Sequence, residues 1–210
     1  MQKFINPTPE TWSELAQRGS ASFASLEPLA KRVFNNVARS GDKALFKYTE
    51  KFDKVKLEDF SVSKNEIDQA ISRVPNKLKN AIKQAKENIF RFHSAQKTNE
   101  VSIETQKGVN CWQKKLPIEK VGLYVPGGSA PLFSTILMLA IPAQVAGCSK
   151  VVLCSPPNSD GHLSDVILYT ADLCGVDNIF KVGGIQAIAG MTIGTKTLPK
   201  VDKLFGPGNQ

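Results

Sequence analysis

The chain has 210 residues, 41% hydrophobic and 22% charged, the balance of a soluble globular protein with enough length to bury a sizeable core. That excludes a disordered or fibrous protein, and no internal repeat or low-complexity tract is present. The formal net charge of +8 is uneven: residues 1–120 carry 22 Lys and Arg against 14 Asp and Glu, and residues 121–210 carry five against five.

The first half reads as mostly helical. "LEPLAKRVFNNVARSG" puts Leu26, Leu29, Ala30, Val33, Phe34, Val37 and Ala38 on one face, with Gly41 as a stop. Asp42 is a candidate cap for "KALFKYTEKF", where Leu45, Tyr48 and Phe52 share a side. In "SKNEIDQAISRV", Ser63 and Glu66 have capping-box spacing ahead of Ile67, Ala70, Ile71 and Val74. After Pro75, Leu78, Ile82, Ala85, Ile89 and Phe92 continue a helical stripe. "VNCWQKKL" and "KVGLYV", separated by Pro117 to Glu119, read as strands able to form a hairpin.

The second half changes rhythm. Short β-rich runs, "VGLYV", "KVVLC", "NIFKV" and "VDKLF", alternate with helical stretches at 131–146, 163–174 and 185–193. Such alternation predicts an α/β fold, a Rossmann-like parallel sheet with crossover helices. The expected organisation is a mostly helical N-terminal region with a short β-hairpin near its end, 1–119, and a Rossmann-like region, 120–210. Three strand exits carry turn chemistry: PGGS at 126–129, GG at 183–184 and GPGN at 206–209. In a parallel sheet all carboxyl ends share one edge, so these loops are expected to converge on one crevice. Gly127 and Gly128 allow close approach of a ligand to the backbone, and Ser129 or Ala130 is placed to start the next helix. The alternative is a set of structural turns that bind nothing, and the GxGxxG spacing is absent.

Four cysteines, Cys111, Cys148, Cys154 and Cys174, form no CxxC pair, and the last three lie in or beside apolar runs. All four read as reduced thiols of a cytoplasmic protein, and Cys148, Cys154 and Cys174 as buried and inert. "MQKFINPTPETW" shows no signal-peptide pattern, and Ile136 to Ala143, the most apolar segment, is far shorter than the roughly 20 residues of a membrane span. Neither a membrane nor a nucleic-acid partner is expected: Lys and Arg interleave with acids along amphipathic helices, as on a solvated face. His93 and His162 lie far apart and supply no closed set of zinc ligands.

The stretches "VGLYVPGGSAPLFSTILMLAIPAQVAGC", "KVVLCSPP", "LCGV", "VGGIQAIAG" and "VDKLFGPGN" resemble the histidinol dehydrogenase family, as do "GDKALFKYTEKFDK" and "NIFRFHSAQK" upstream. The resemblance runs from about residue 25 to the end. It implies oxidation of L-histidinol to L-histidine through the aldehyde, with two NAD reduced in succession, a zinc ion holding the substrate and a glutamate–histidine pair moving protons. It places Tyr124, Gln186 and Asn209 on the family's NAD-contacting positions.

Family members continue past GPGN, where the zinc ligands and the acid–base pair reside, whereas this chain ends at Gln210. The resemblance therefore implies an N-terminal fragment with no catalytic or metal residues of its own, inactive alone, and prone to self-association such as a homodimer. A non-catalytic nucleotide-binding or oligomerising module is the alternative. A basic nucleic-acid-binding protein or a cysteine-dependent aldehyde dehydrogenase fits less well.

Overall fold

The computed structural model describes residues 3–16, 25–127 and 131–207. Five helices come first: α1 (Pro9–Leu15), α2 (Glu27–Ser40), α3 (Asp42–Phe52), α4 (Lys64–Arg73) and α5 (Asn76–Ala95). An antiparallel hairpin follows, β1 (Val101–Gln106) and β2 (Val109–Gln113). Alternation then begins: β3 (Lys120–Tyr124), α6 (Phe133–Ala146), β4 (Lys150–Ser155), α7 (Asp165–Leu173), β5 (Asn178–Lys181), α8 (Gly184–Ile193) and β6 (Lys203–Phe205). Strands β3 to β6 form a wholly parallel sheet in the order β5-β4-β3-β6. The chain steps outward from β3 to β5 and then returns to the other side of β3. The topological switch point, where doubly wound folds bind ligands, therefore lies between β3 and β6.

The two-residue period of the strands sorts their side chains onto two faces. Val121, Leu123, Leu153 and Ile179 point into one core with α4, α5, α6 and α7. Val152, Cys154, Phe180 and Val182 point into the other, against Val33 and Val37 of α2, Leu45 and Tyr48 of α3, and Ala187 and Met191 of α8. The basic first half thus supplies apolar stripes to both outer layers while its charges face solvent. Lys31–Glu27 and Lys64–Asp68 pair one turn apart on those exposed faces.

The Ser63–Glu66 capping box is formed, each side chain bonding the other's backbone N–H. Three expectations require correction. The hairpin pairs residues 101–106 with 109–113, not with "KVGLYV", because Gly108, at φ +83°, makes the tight turn and β3 is taken into the parallel sheet. Asp42 does not cap α3; Gly41 occupies that position, and Asp42 accepts a hydrogen bond from the Thr197 hydroxyl at 2.8 Å. Helix α6 starts at Phe133, with Leu132 before it; Ser129 and Ala130 lie outside the described residues.

Candidate functional site

The carboxyl ends of all four parallel strands border one hollow of about 530 Å³. Tyr124, Pro126 and Gly127 come from the β3 exit, Pro156 from β4, Gly184 from β5, and Gly206 and Pro207 from β6. Ile185 and Ile188 of α8 form one wall, and Asp53, just past α3, closes another. The convergence expected from strand–helix alternation is thus present in the described parts of the three glycine loops. Close approach explains Gly206: a Cβ there would stand 2.5 Å from the Tyr124 carbonyl oxygen, so only glycine lets β6 leave the sheet against β3.

Of the three residues singled out, Tyr124 is half-buried in the wall, and its hydroxyl accepts the Gly184 backbone N–H at 2.9 Å. That bond takes up one of the free N–H groups at the start of α8 and leaves the phenolic proton available to a ligand. Burial raises the Tyr124 pKa above its ordinary 10, so the ring is neutral at physiological pH. Gln186 lies behind the wall, fully buried in the first turn of α8. Its Nε2 donates to Asp53 Oδ2 at 3.0 Å, while its Oε1 is buried with no partner among the described residues. A buried carbonyl oxygen left unpaired costs about 1–3 kcal/mol. Asn209 lies outside the described residues, as does Gly128.

Asp53 was not legible as a site residue; only its place in the "FDK" of the family-like stretch hinted at it. Desolvation pushes its carboxyl from 3.8 up to about 6, opposed by the Gln186 amide. Because the folded value exceeds the unfolded one, the associated stability is present below the unfolded pKa and is lost as pH rises through about 6. Asp53→Asn is therefore expected to raise the thermal midpoint at about pH 7.5, with the gain shrinking on acidification and gone below about pH 4. Unfolding scans of both proteins across that range measure it.

A second polar group, on the opposite face of the sheet's edge, is internally satisfied. Lys181, nearly buried, bonds Glu66 Oε1 at 3.1 Å, and His162 Nδ1 stands 3.7 Å from the same oxygen. Burial raises the Glu66 pKa, but the Ser63 backbone N–H and the Lys181 ammonium together hold it below its ordinary value. This network clamps α4 to β5. Burial pushes the Cys154 thiol far up and the Cys174 thiol up to about 11, so neither is a thiolate at neutral pH. Cys148 departs from the buried expectation: it is only partly covered, at the rim of an apolar groove beside β6. Cys111, outside those apolar runs, is exposed on β2. Among the described residues no group of three His, Cys, Asp or Glu side chains could hold a metal ion. Nor is any helix among them long and apolar enough to cross a membrane.

The fold and hollow define a doubly wound α/β protein with a hollow at the carboxyl edge of its sheet. Comparison with known proteins narrows this. The histidinol dehydrogenase family model matches residues 16–210. A histidinol dehydrogenase of Bacteroides thetaiotaomicron is 50% identical across 100% of this chain and 49% of its own length. One of Mannheimia succiniciproducens is 52% identical across 93% and 45%. The crystal structure of histidinol dehydrogenase from Elizabethkingia anophelis superposes with a TM-score of 0.93 at 52% identity, over 100% of this chain and 48% of that one. The chain belongs to the histidinol dehydrogenase family, and it spans about half the length of the relatives it matches.

Proposed function

We propose that this chain supplies the NAD-binding crevice of a histidinol dehydrogenase, which oxidises L-histidinol to L-histidine through the aldehyde in the cytoplasm and reduces two NAD. The carrying observation is that the exits of β3, β5 and β6 meet around one hollow with Tyr124 in its wall. The residues fit a dinucleotide: apolar walls from Ile185, Ile188 and three prolines suit flat rings, and the Tyr124 hydroxyl keeps a proton to donate. When bound, NAD accepts the hydride. This chain's part is to bind and orient: Tyr124, held by Gly184, Gln186 and Asn209 are the contacts proposed for it.

The family's zinc has no site among the described residues. The 210-residue chain is accordingly expected to bind NAD without turning over L-histidinol. Calorimetric titration with NAD tests the reading. Tyr124→Ala should weaken binding by about tenfold or more, the loss expected for an aromatic contact and its hydrogen bond. Absence of NAD binding by the wild-type chain, or equal affinity in the variant, would overturn it.

Self-association, as in a homodimer, is part of the same proposal. Beside β6, the edge strand of the sheet among the described residues, lies an apolar groove of about 420 Å³ bordered by Leu116, Met138, Cys148 and Phe205, with Leu116 73% exposed. Exposed apolar surface of this kind favours a second copy. Light scattering at rising concentration should report a mass above 22.9 kDa; a monomer throughout would remove this part.

A further inference from the structure

Doubly wound dinucleotide sites commonly carry an acid at the end of the second strand, where it bonds the ribose hydroxyls. Here that strand, β4, ends in Ser155, Pro156 and Pro157, with no acid. Among the described residues the hollow nevertheless has one carboxylate, contributed from elsewhere. Asp53 sits immediately after α3 and enters the wall beside Pro156 and Gly184. Its Oδ2 accepts a hydrogen bond from the Gln186 amide at 3.0 Å. Its Oδ1 accepts no hydrogen bond among the described residues and lies 3.1 Å from where a Cβ at Gly183 would stand. The absence of a side chain at Gly183 is what gives that oxygen its room. No Lys or Arg is among the described residues that line the hollow.

We propose that Asp53 holds the ribose diol of the dinucleotide and excludes a ribose bearing a 2′-phosphate. The inference rests on the NAD reading above and adds the residue that chooses between the two nicotinamide cofactors. A carboxylate accepts hydrogen bonds from two adjacent hydroxyls, and charge-assisted bonds of that kind are among the strong ones. A 2′-phosphate removes one donor and brings about two negative charges against the carboxylate. With no cation among the described wall residues to compensate, both changes oppose binding. Above pH 7 the carboxyl, titrating at about 6, is mainly ionised, as the discrimination requires.

The test is calorimetric titration of the 210-residue chain and its Asp53→Asn variant with NAD and with NADP, thermal unfolding serving to show that both proteins are folded. The wild type is expected to bind NAD about 100-fold more tightly than NADP, the variant to bind NAD about tenfold more weakly with the preference cut to less than about tenfold. If the wild type binds NAD and the variant keeps both the affinity and the preference, Asp53 has no part in recognition while the dinucleotide site stands. If the variant weakens NAD and NADP in equal proportion, Asp53 shapes the wall without discriminating, and the proposal fails. Binding of neither cofactor by the wild type would overturn this inference and the NAD reading together.

Discussion

Phe60→Ala is expected to remove about 3–5 kcal/mol of folding stability, the usual cost of emptying a buried phenylalanine site. The side chain has no exposed surface and stacks on Phe46 with ring centroids 3.9 Å apart and planes 24° from parallel. Its backbone bears equal weight. The Phe60 carbonyl accepts the Lys181 N–H at 2.7 Å, and Val62 N–H donates to the Ile179 carbonyl at 3.0 Å, with Ser61 facing Phe180 in an antiparallel bridge. The Phe60–Val62 segment is thus a short strip that covers the outer edge of β5. Removing the ring leaves a cavity between α3 and the sheet and loosens the strip. Urea unfolding should show a lower midpoint with an unchanged slope. A loss below about 1 kcal/mol would mean that the strip is held by its hydrogen bonds without the ring.

Gly183→Ala is expected to damage the crevice severely. The new Cβ would lie 2.4 Å from Pro156 Cβ and 3.0 Å from Pro156 Cα, with Asp53 Oδ1 at 3.1 Å. Backbone strain plays no part, since φ at this residue is an ordinary −109°. The contact is with a rigid proline ring and its backbone, so either the β4 exit or the start of α8 must move. Overpacking of this kind costs about 1–3 kcal/mol. The displacement also pulls on the Gly184–Tyr124 hydrogen bond and on Asp53, so NAD affinity should fall by about tenfold or more. Adding Pro156→Gly to the variant removes the closest obstructing atom, the Pro156 Cβ, and should restore part of the affinity, a coupling that a binding-based double-mutant cycle measures. A Gly183→Ala variant that binds NAD as the wild type does would place the cofactor elsewhere.

How far the sequence foretold this differs from element to element. The parallel sheet was legible because β-branched runs and helical stretches alternate at crossover spacing from Val121 onward, and each strand exit carries glycine or proline. The destination of α2 to α5 was not. An amphipathic stripe such as Val33, Val37 or Ile67, Ala70 states that a helix buries one side, not whether a helix or a sheet lies beneath it. The hairpin went to the wrong partner because Pro117 to Glu119 offered an apparent turn, while Gly108 was the turn actually used. Tyr124 could be placed in the crevice by its position at the end of β3. Gln186 could be placed near it but not behind it, since helical rotation at the first turn of α8 decides that. Asp53 escaped notice because a single acid after a helix has no pattern, and only the fold brings it to Gln186.

The layering of the sheet bears on how the chain is made. Helices α2 and α3 find their cover only when α8 arrives, and the Asp42–Thr197 hydrogen bond joins residues 155 positions apart. During synthesis the amphipathic segments that emerge first must therefore wait, with sticky faces bare, until nearly all of these residues have left the ribosome. Such late, long-range closure slows folding and lengthens the interval of exposure.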